Sequence, residues 1–177
     1  EGGGRMSLFN VTIYLETTIK GPRPRMAAGA YLVEYITSRN EPETRGKILF
    51  SEKITENALT LSLLSRSLDE LSQTSTCSIR VNTQCDHVAS AVGKGWVEQW
   101  KGNGWLNAKG LPVKNAELWQ QVSRKMEGHL VVFDSWEHSY RNIMQGRIHR
   151  VLDGKKEKRA GASGGKERDG REKHTNY

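Results

Sequence analysis

Three runs rich in β-branched and aromatic residues, Asn10 to Leu15 (NVTIYL), Gly29 to Thr37 (GAYLVEYIT) and Arg45 to Ser51 (RGKILFS), precede any helical pattern in the chain. Short links between them predict an antiparallel meander. Thr55 then reads as an N-cap, and Leu61, Leu64, Leu68 and Leu71 recur at helical spacing up to Ser72. The apolar run Cys77 to Asn82 (CSIRVN) comes after that helix, which suits a parallel strand reached by a crossover. A helix over Asp86 to Gly93 follows, and Trp96, Trp100, Trp119 and Val122 continue helical spacing around a glycine-rich break. A buried strand, Leu130 to Asp134, and a closing helix, Tyr140 to Leu152, complete the order. The expected fold class is α/β: a mixed five-stranded sheet, three strands antiparallel and then two parallel, with helices on both faces.

With 177 residues the chain is long enough for one well-buried core. Residues 1–6 are glycine-rich and read as a flexible extension, residues 7–152 as the folded domain, and residues 153–177 (DGKKEKRAGASGGKERDGREKHTNY) as a disordered charged tail with almost nothing to bury. Lys and Arg exceed Asp and Glu by 27 to 20, a formal net charge of +7 that favours a polyanionic partner. No apolar run approaches the ~20 residues a membrane helix needs, so no membrane partner is expected. The start lacks a secretory pattern, which makes a cytoplasmic location the default expectation. Cys77 and Cys85 have no thiol or histidine pair at metal-site spacing and read as free thiols.

The segment from Gly95 to Gln121, GWVEQWKGNGWLNAKGLPVKNAELWQQ, is the most specific stretch. Trp96, Trp100 and Trp105 at four- and five-residue spacing, then Pro112-Val113-Lys114-Asn115 and Leu118-Trp119, resemble the substrate-binding handle of type 1 ribonucleases H. The strand order derived above is also that family's order, and the resemblance covers roughly residues 10–150. Trp96 and Trp119 are expected to pack. Trp100 and Trp105 are expected to offer contact surface beside Lys94, Lys101, Lys109 and Lys114, a basic neighbourhood suited to phosphates.

The resemblance implies cleavage of the RNA strand of an RNA/DNA hybrid with two divalent ions held by four acids. Two dications need several anionic oxygens around them. At the family's first position, ending the first strand, stands Glu16; at the second, on the first helix, Thr60; at the third, after the fourth strand, Asn82; at the fourth, opening the last helix, Asn142. One carboxylate of four remains, so these catalytic positions are expected to be degenerate and to hold no metal. His138 matches the loop that carries a catalytic histidine in the family, although the commoner role of a loop histidine is surface hydrogen bonding. Asp86, Asp134 and Glu137 are candidates for a rearranged site with Glu16.

Other family positions keep suitable donors. Lys53, Thr55 and Asn115 match a pocket for one DNA-strand phosphate, while Asn57 and Gln84 match polar contacts in the minor groove. Between Thr17 and Met26 the chain departs from the family's glycine-rich loop by carrying Lys20, Arg23 and Arg25. The expected function is nucleic-acid binding, to RNA/DNA hybrid or duplex RNA, with catalysis lost or impaired. One alternative is a divergent hybrid ribonuclease using magnesium or manganese; another is a protein-interaction domain that docks its partner on the handle.

Overall fold

The computed structural model describes residues 9–72 and 74–167, with side chains through residue 163. Five strands, β1 (Phe9–Thr17), β2 (Arg25–Ile36), β3 (Pro42–Ile54), β4 (Cys77–Asn82) and β5 (Leu130–Asp134), form one sheet in the order β3-β2-β1-β4-β5. The pairs β1/β2 and β2/β3 are antiparallel, and β1/β4 and β4/β5 are parallel, as the segment order predicts. Register sets Glu16 opposite Ala30, Tyr14 opposite Asn82, and Asn82 opposite Asp134, so the ends of three strands meet at one edge of the sheet.

Period-2 alternation splits β1 between two cores. Ile13 and Leu15 join Leu59, Leu63, Val81, Trp119 and Val122 in the larger one, under α1 (Glu56–Leu68), α2 (Asp86–Gly93), α3 (Trp96–Gly102) and α4 (Ala116–Met126). Tyr14 faces the other way and joins Ala28, Ala30, Met144, Ile148 and Leu152 beneath α5 (Arg141–Glu167). Gly29 allows α1 to lie close on the sheet, because a Cβ there would stand 2.7 Å from Leu63 Cδ1.

Thr55 caps α1 by accepting from the Ala58 amide at 3.2 Å, with Glu56 in the first turn and Arg66 in the last, both favourable to the helix dipole. The α-helix stops at Leu68 rather than Ser72. Asp69, Glu70 and Leu71 instead donate to carbonyls three residues back, the tightening that often ends a helix. Both cysteines are free and buried, and burial pushes their thiols up.

The main departure from expectation lies at the end. Residues 153–167 are helical rather than disordered, since α5 runs 27 residues without a break. Composition predicts what can be buried, but Met144, Ile148 and Leu152 anchor the helix upstream and so meet the nucleation cost for the residues beyond them. The expected extension at residues 1–6 and the rest of the tail, residues 168–177, lie outside the described residues. No helix among the described residues is long and apolar enough to cross a membrane.

Where α5 begins, Tyr140 donates to the Glu34 carboxylate on β2, and that bond pushes its phenol up to about 12. Burial, together with Glu34, raises Tyr14 as well. A phenol whose folded value exceeds its ordinary value of 10.0 stabilises the fold fully below that pH and ceases to do so as pH climbs through the folded value. Stability should therefore fall between about pH 10 and 12, and Glu34→Gln should move the Tyr140 phenolate absorbance transition down towards the ordinary range, with a smaller downward move for Tyr14. A titration unchanged by that substitution would count against the bond.

Candidate functional site

Glu16 ends β1 at the sheet edge and is only 4% exposed. Both of its oxygens are engaged: Oε1 lies 2.7 Å from His138 Nε2, and Oε2 accepts from Gln145 Nε2 at 2.7 Å. His138 is itself buried, with 2% of its side chain exposed, and stacks on Tyr14 with ring centroids 4.5 Å apart. Its position corrects the expectation of a surface histidine. The β5–α5 loop carrying it is short, and Trp136 and Tyr140 on either side also pack edge-on against Tyr14, which draws the imidazole inward. His138 Nδ1 is buried and has no hydrogen-bond partner among the described residues.

Thr60 and Glu16 line one narrow cleft together with Glu56, Thr83, Gln84, Lys20, Arg141 and Gln145. Asn82 is buried beside it and donates to the Trp136 carbonyl at 2.8 Å, so its amide holds the loop that delivers His138. Asn142 departs from expectation. It is exposed and does not line the cleft, because the face of α5 turned inward carries Arg141 and Gln145 instead, four residues apart and thus on one side of a helix. The proposed rearranged acids do not gather either. Asp86, Asp134 and Glu137 are exposed, Asp134 accepts from the next residue's amide at 2.8 Å, and no three His, Cys, Asp or Glu residues among those described are placed to hold a metal ion.

Sequence reading missed Gln145, Arg141 and Glu56, and named Lys20 only as added charge in the β1–β2 loop. The signal for the first two was the spacing of Met144, Ile148 and Leu152, which marks the inward face of α5. As a result the cleft is lined by two carboxylates, Glu16 and Glu56, and by two basic residues, Lys20 and Arg141.

The handle forms as a helix and a closed loop. Trp119 is fully buried, Trp100 meets it edge-on at 5.7 Å, and Trp96 and Trp105 are half-buried against the same core. Trp100 and Trp105 are thus packed more deeply than expected. Beyond them Trp105, at φ 64°, and Gly110, at φ 74°, turn the chain, Leu106 bridges Pro112, and Asn107 Oδ1 accepts from the Lys109 and Leu111 amides. Lys109 and Lys114 stand exposed on this loop. Lys94 lies over the Trp96 ring at 5.3 Å, and Lys101 pairs with Glu127 at 3.0 Å in an exposed contact worth little.

Among the residues expected to form a phosphate pocket, Lys53 is exposed, Thr55 spends its hydroxyl on the α1 cap, and Asn115 starts α4 at φ 61° with its side chain uninvolved in capping. Helices α1 and α4 pack together, so the two helix starts belong to one layer. Asn57 accepts from Cys85 Sγ at 3.2 Å, and Gln84 lines the Glu16 cleft.

Residues 10–138 match the family model for RNase H. The ribonuclease H of Stutzerimonas stutzeri is 32% identical over 131 residues, covering 72% of this chain and 76% of that protein. Among solved structures, LC9-RNase H1, a type 1 RNase H with the type 2 active-site motif, aligns with a TM-score of 0.69 at 17% identity over 85% of this chain and 75% of that one. LC11-RNase H1, solved in complex with RNA/DNA hybrid, aligns with a TM-score of 0.52 at 12% identity over 81% of this chain and 97% of that one. With a family match over residues 10–138 and a relative 32% identical across about three quarters of both chains, this chain belongs to the ribonuclease H family.

Proposed function

We propose that the chain binds RNA/DNA hybrid through its handle and the starts of α1 and α4, and that the Glu16 cleft does not cut it. One observation carries this reading: both oxygens of Glu16 are already taken, by His138 and Gln145. The magnesium ions that the family resemblance implies do not fit this donor set. Glu16 is the one carboxylate at the four family positions, Thr60 is neutral, the Asn82 amide is turned to the Trp136 carbonyl, and Lys20 and Arg141 add positive charge to the lining. Binding needs none of these groups. Lys94, Lys109, Lys114 and Lys53 are exposed cations, and phosphate contacts of that kind supply affinity whatever the state of the cleft. The hybrid bound by LC11-RNase H1 supports the choice of ligand.

A second reading, a divergent hybrid ribonuclease, draws on Glu56, a carboxylate lining the same cleft as Glu16. Docking of a protein on the handle is less favoured, because its exposed Leu106 and Leu111 flank Lys109 rather than forming an uninterrupted apolar patch.

The deciding experiment incubates the protein with a labelled hybrid in magnesium and in manganese, measuring retention and cleavage separately. Retention without cleavage is expected. Metal-dependent cleavage that Glu16→Gln abolishes would overturn the reading. Replacing Lys109 and Lys114 by glutamine should lower retention and reduce the salt slope by about 2, roughly one for each lost phosphate contact. An unchanged slope would remove the handle from the interface.

A further inference from the structure

Leu152 is the last buried side chain of α5, and residues 155–163 are all exposed. Lys155 lies over the Phe50 ring of β3 at 5.2 Å, and beyond it the helix continues for about two turns with no buried side chain. Its chemistry also works against standing alone: Lys155 and Arg159 are like charges four apart, and Gly154 and Gly161 are weak helix formers. Lys155, Lys156, Lys158 and Arg159 outnumber Asp153 and Glu157, and none of them enters an ion pair among the described residues. One turn before Leu152, Arg147 and Arg150 are exposed as well. Eleven residues is close to three turns, so Lys158 falls on the stripe of Arg147, with Arg150 beside it. At its other end α5 contributes Arg141 to the Glu16 cleft. Arg141 lies on the inward face of α5, whereas Arg147, Arg150 and Lys158 share the opposite, outward face, so the stripe is separate from the cleft and spans roughly 16 Å at about 1.5 Å per residue.

We propose that α5 from Arg147 to Arg159 is a second phosphate-binding surface, which takes a flanking length of nucleic-acid backbone beyond the part held by the handle. The handle packs with α1 and α4 on one face of the sheet and α5 covers the other, so the two surfaces hold different lengths of the same polyanion. Phosphates along the stripe neutralise the repulsion between its cations, which is the stabilisation that packing does not supply. Such contacts read backbone, not sequence. This inference rests on the nucleic-acid reading above.

The test compares a hybrid of one helical turn, about 10 base pairs, with one of three turns, about 30. The protein is used whole, beside the variant Arg147→Gln/Arg150→Gln/Lys158→Gln, whose changes all lie on exposed positions and whose helicity is checked by circular dichroism. The wild type should hold the long hybrid more tightly. In the variant the short hybrid should bind as before, while the long one loses on the order of tenfold in affinity and about 2 to 3 in salt slope. If the wild type retains both hybrids and the variant matches it on the long one, the inference falls and the handle reading stands. Retention of neither hybrid by the wild type overturns both. Capture of phosphatidylserine vesicles by α5, with no gain from hybrid length, assigns the stripe to a lipid surface and overturns the inference alone.

Discussion

Replacing His138 by alanine should cost about 3 to 5 kcal/mol of stability, the usual penalty when a buried charged group loses its partner. Glu16 is 4% exposed at the end of β1. Without His138, its Oε1 has no partner, and Gln145 alone remains on Oε2. The stacking on Tyr14 disappears too. For a chain of this size each kcal/mol moves the melting temperature by about 2 to 4 °C, so a drop on the order of 10 °C is expected. Thermal and urea denaturation would measure it. The double variant Glu16→Gln/His138→Ala separates causes: a neutral amide needs less solvation than a carboxylate, so much of the loss should return. A double variant as unstable as the two single changes added together would mean that the pair is not the source.

The sheet was legible because each of its segments follows a local rule. Period-2 apolar runs, a capped leucine-spaced helix and a strand entered after a helix leave few topologies once crossovers must be right-handed. The handle was legible for a different reason, since three tryptophans at helical intervals with Pro112, Lys114 and Asn115 make an uncommon string. Site chemistry was read only in part. Glu16, Thr60 and Asn82 sit on regular elements whose register fixes them near one edge, and they arrive there. His138 belongs to an irregular loop, where no periodicity reports whether a side chain faces inward. Its burial depends on Tyr14, Trp136 and Tyr140 meeting in three dimensions. Alignment with the family's acids chose Asn142, but the helix phase set by Met144 and Ile148 turns that residue outward and brings Gln145 in. The tail misled for an energetic reason, because sequence composition reports burial while a helix already anchored upstream needs no new nucleus.

Trp119→Ala should lower stability by about 3 to 5 kcal/mol and, separately, disable the handle. Trp119 is 1% exposed and lies between α4 and the main core, so alanine leaves a cavity that the sheet and α1 cannot close without moving. Trp100 then loses the ring it meets edge-on, an interaction worth about 0.5 to 1.5 kcal/mol. The loop is tied to Trp100 through the Trp105 amide, which donates to the Trp100 carbonyl at 2.7 Å, and Val113 in turn donates to the Trp105 carbonyl at 2.9 Å. Movement of Trp100 therefore carries Lys109 and Lys114 with it. Hybrid retention should fall at temperatures well below unfolding, where the rest of the chain is still native by circular dichroism. Val122→Ala serves as the contrast, since Val122 is equally buried on the same helix but carries no ring to meet Trp100 edge-on. It should lower the melting point by removing about two methylene equivalents, close to 1.6 kcal/mol, and leave retention nearly intact. Equal loss of retention in both variants would mean that general loosening of α4, rather than the Trp119–Trp100 contact, sets the posture of the handle.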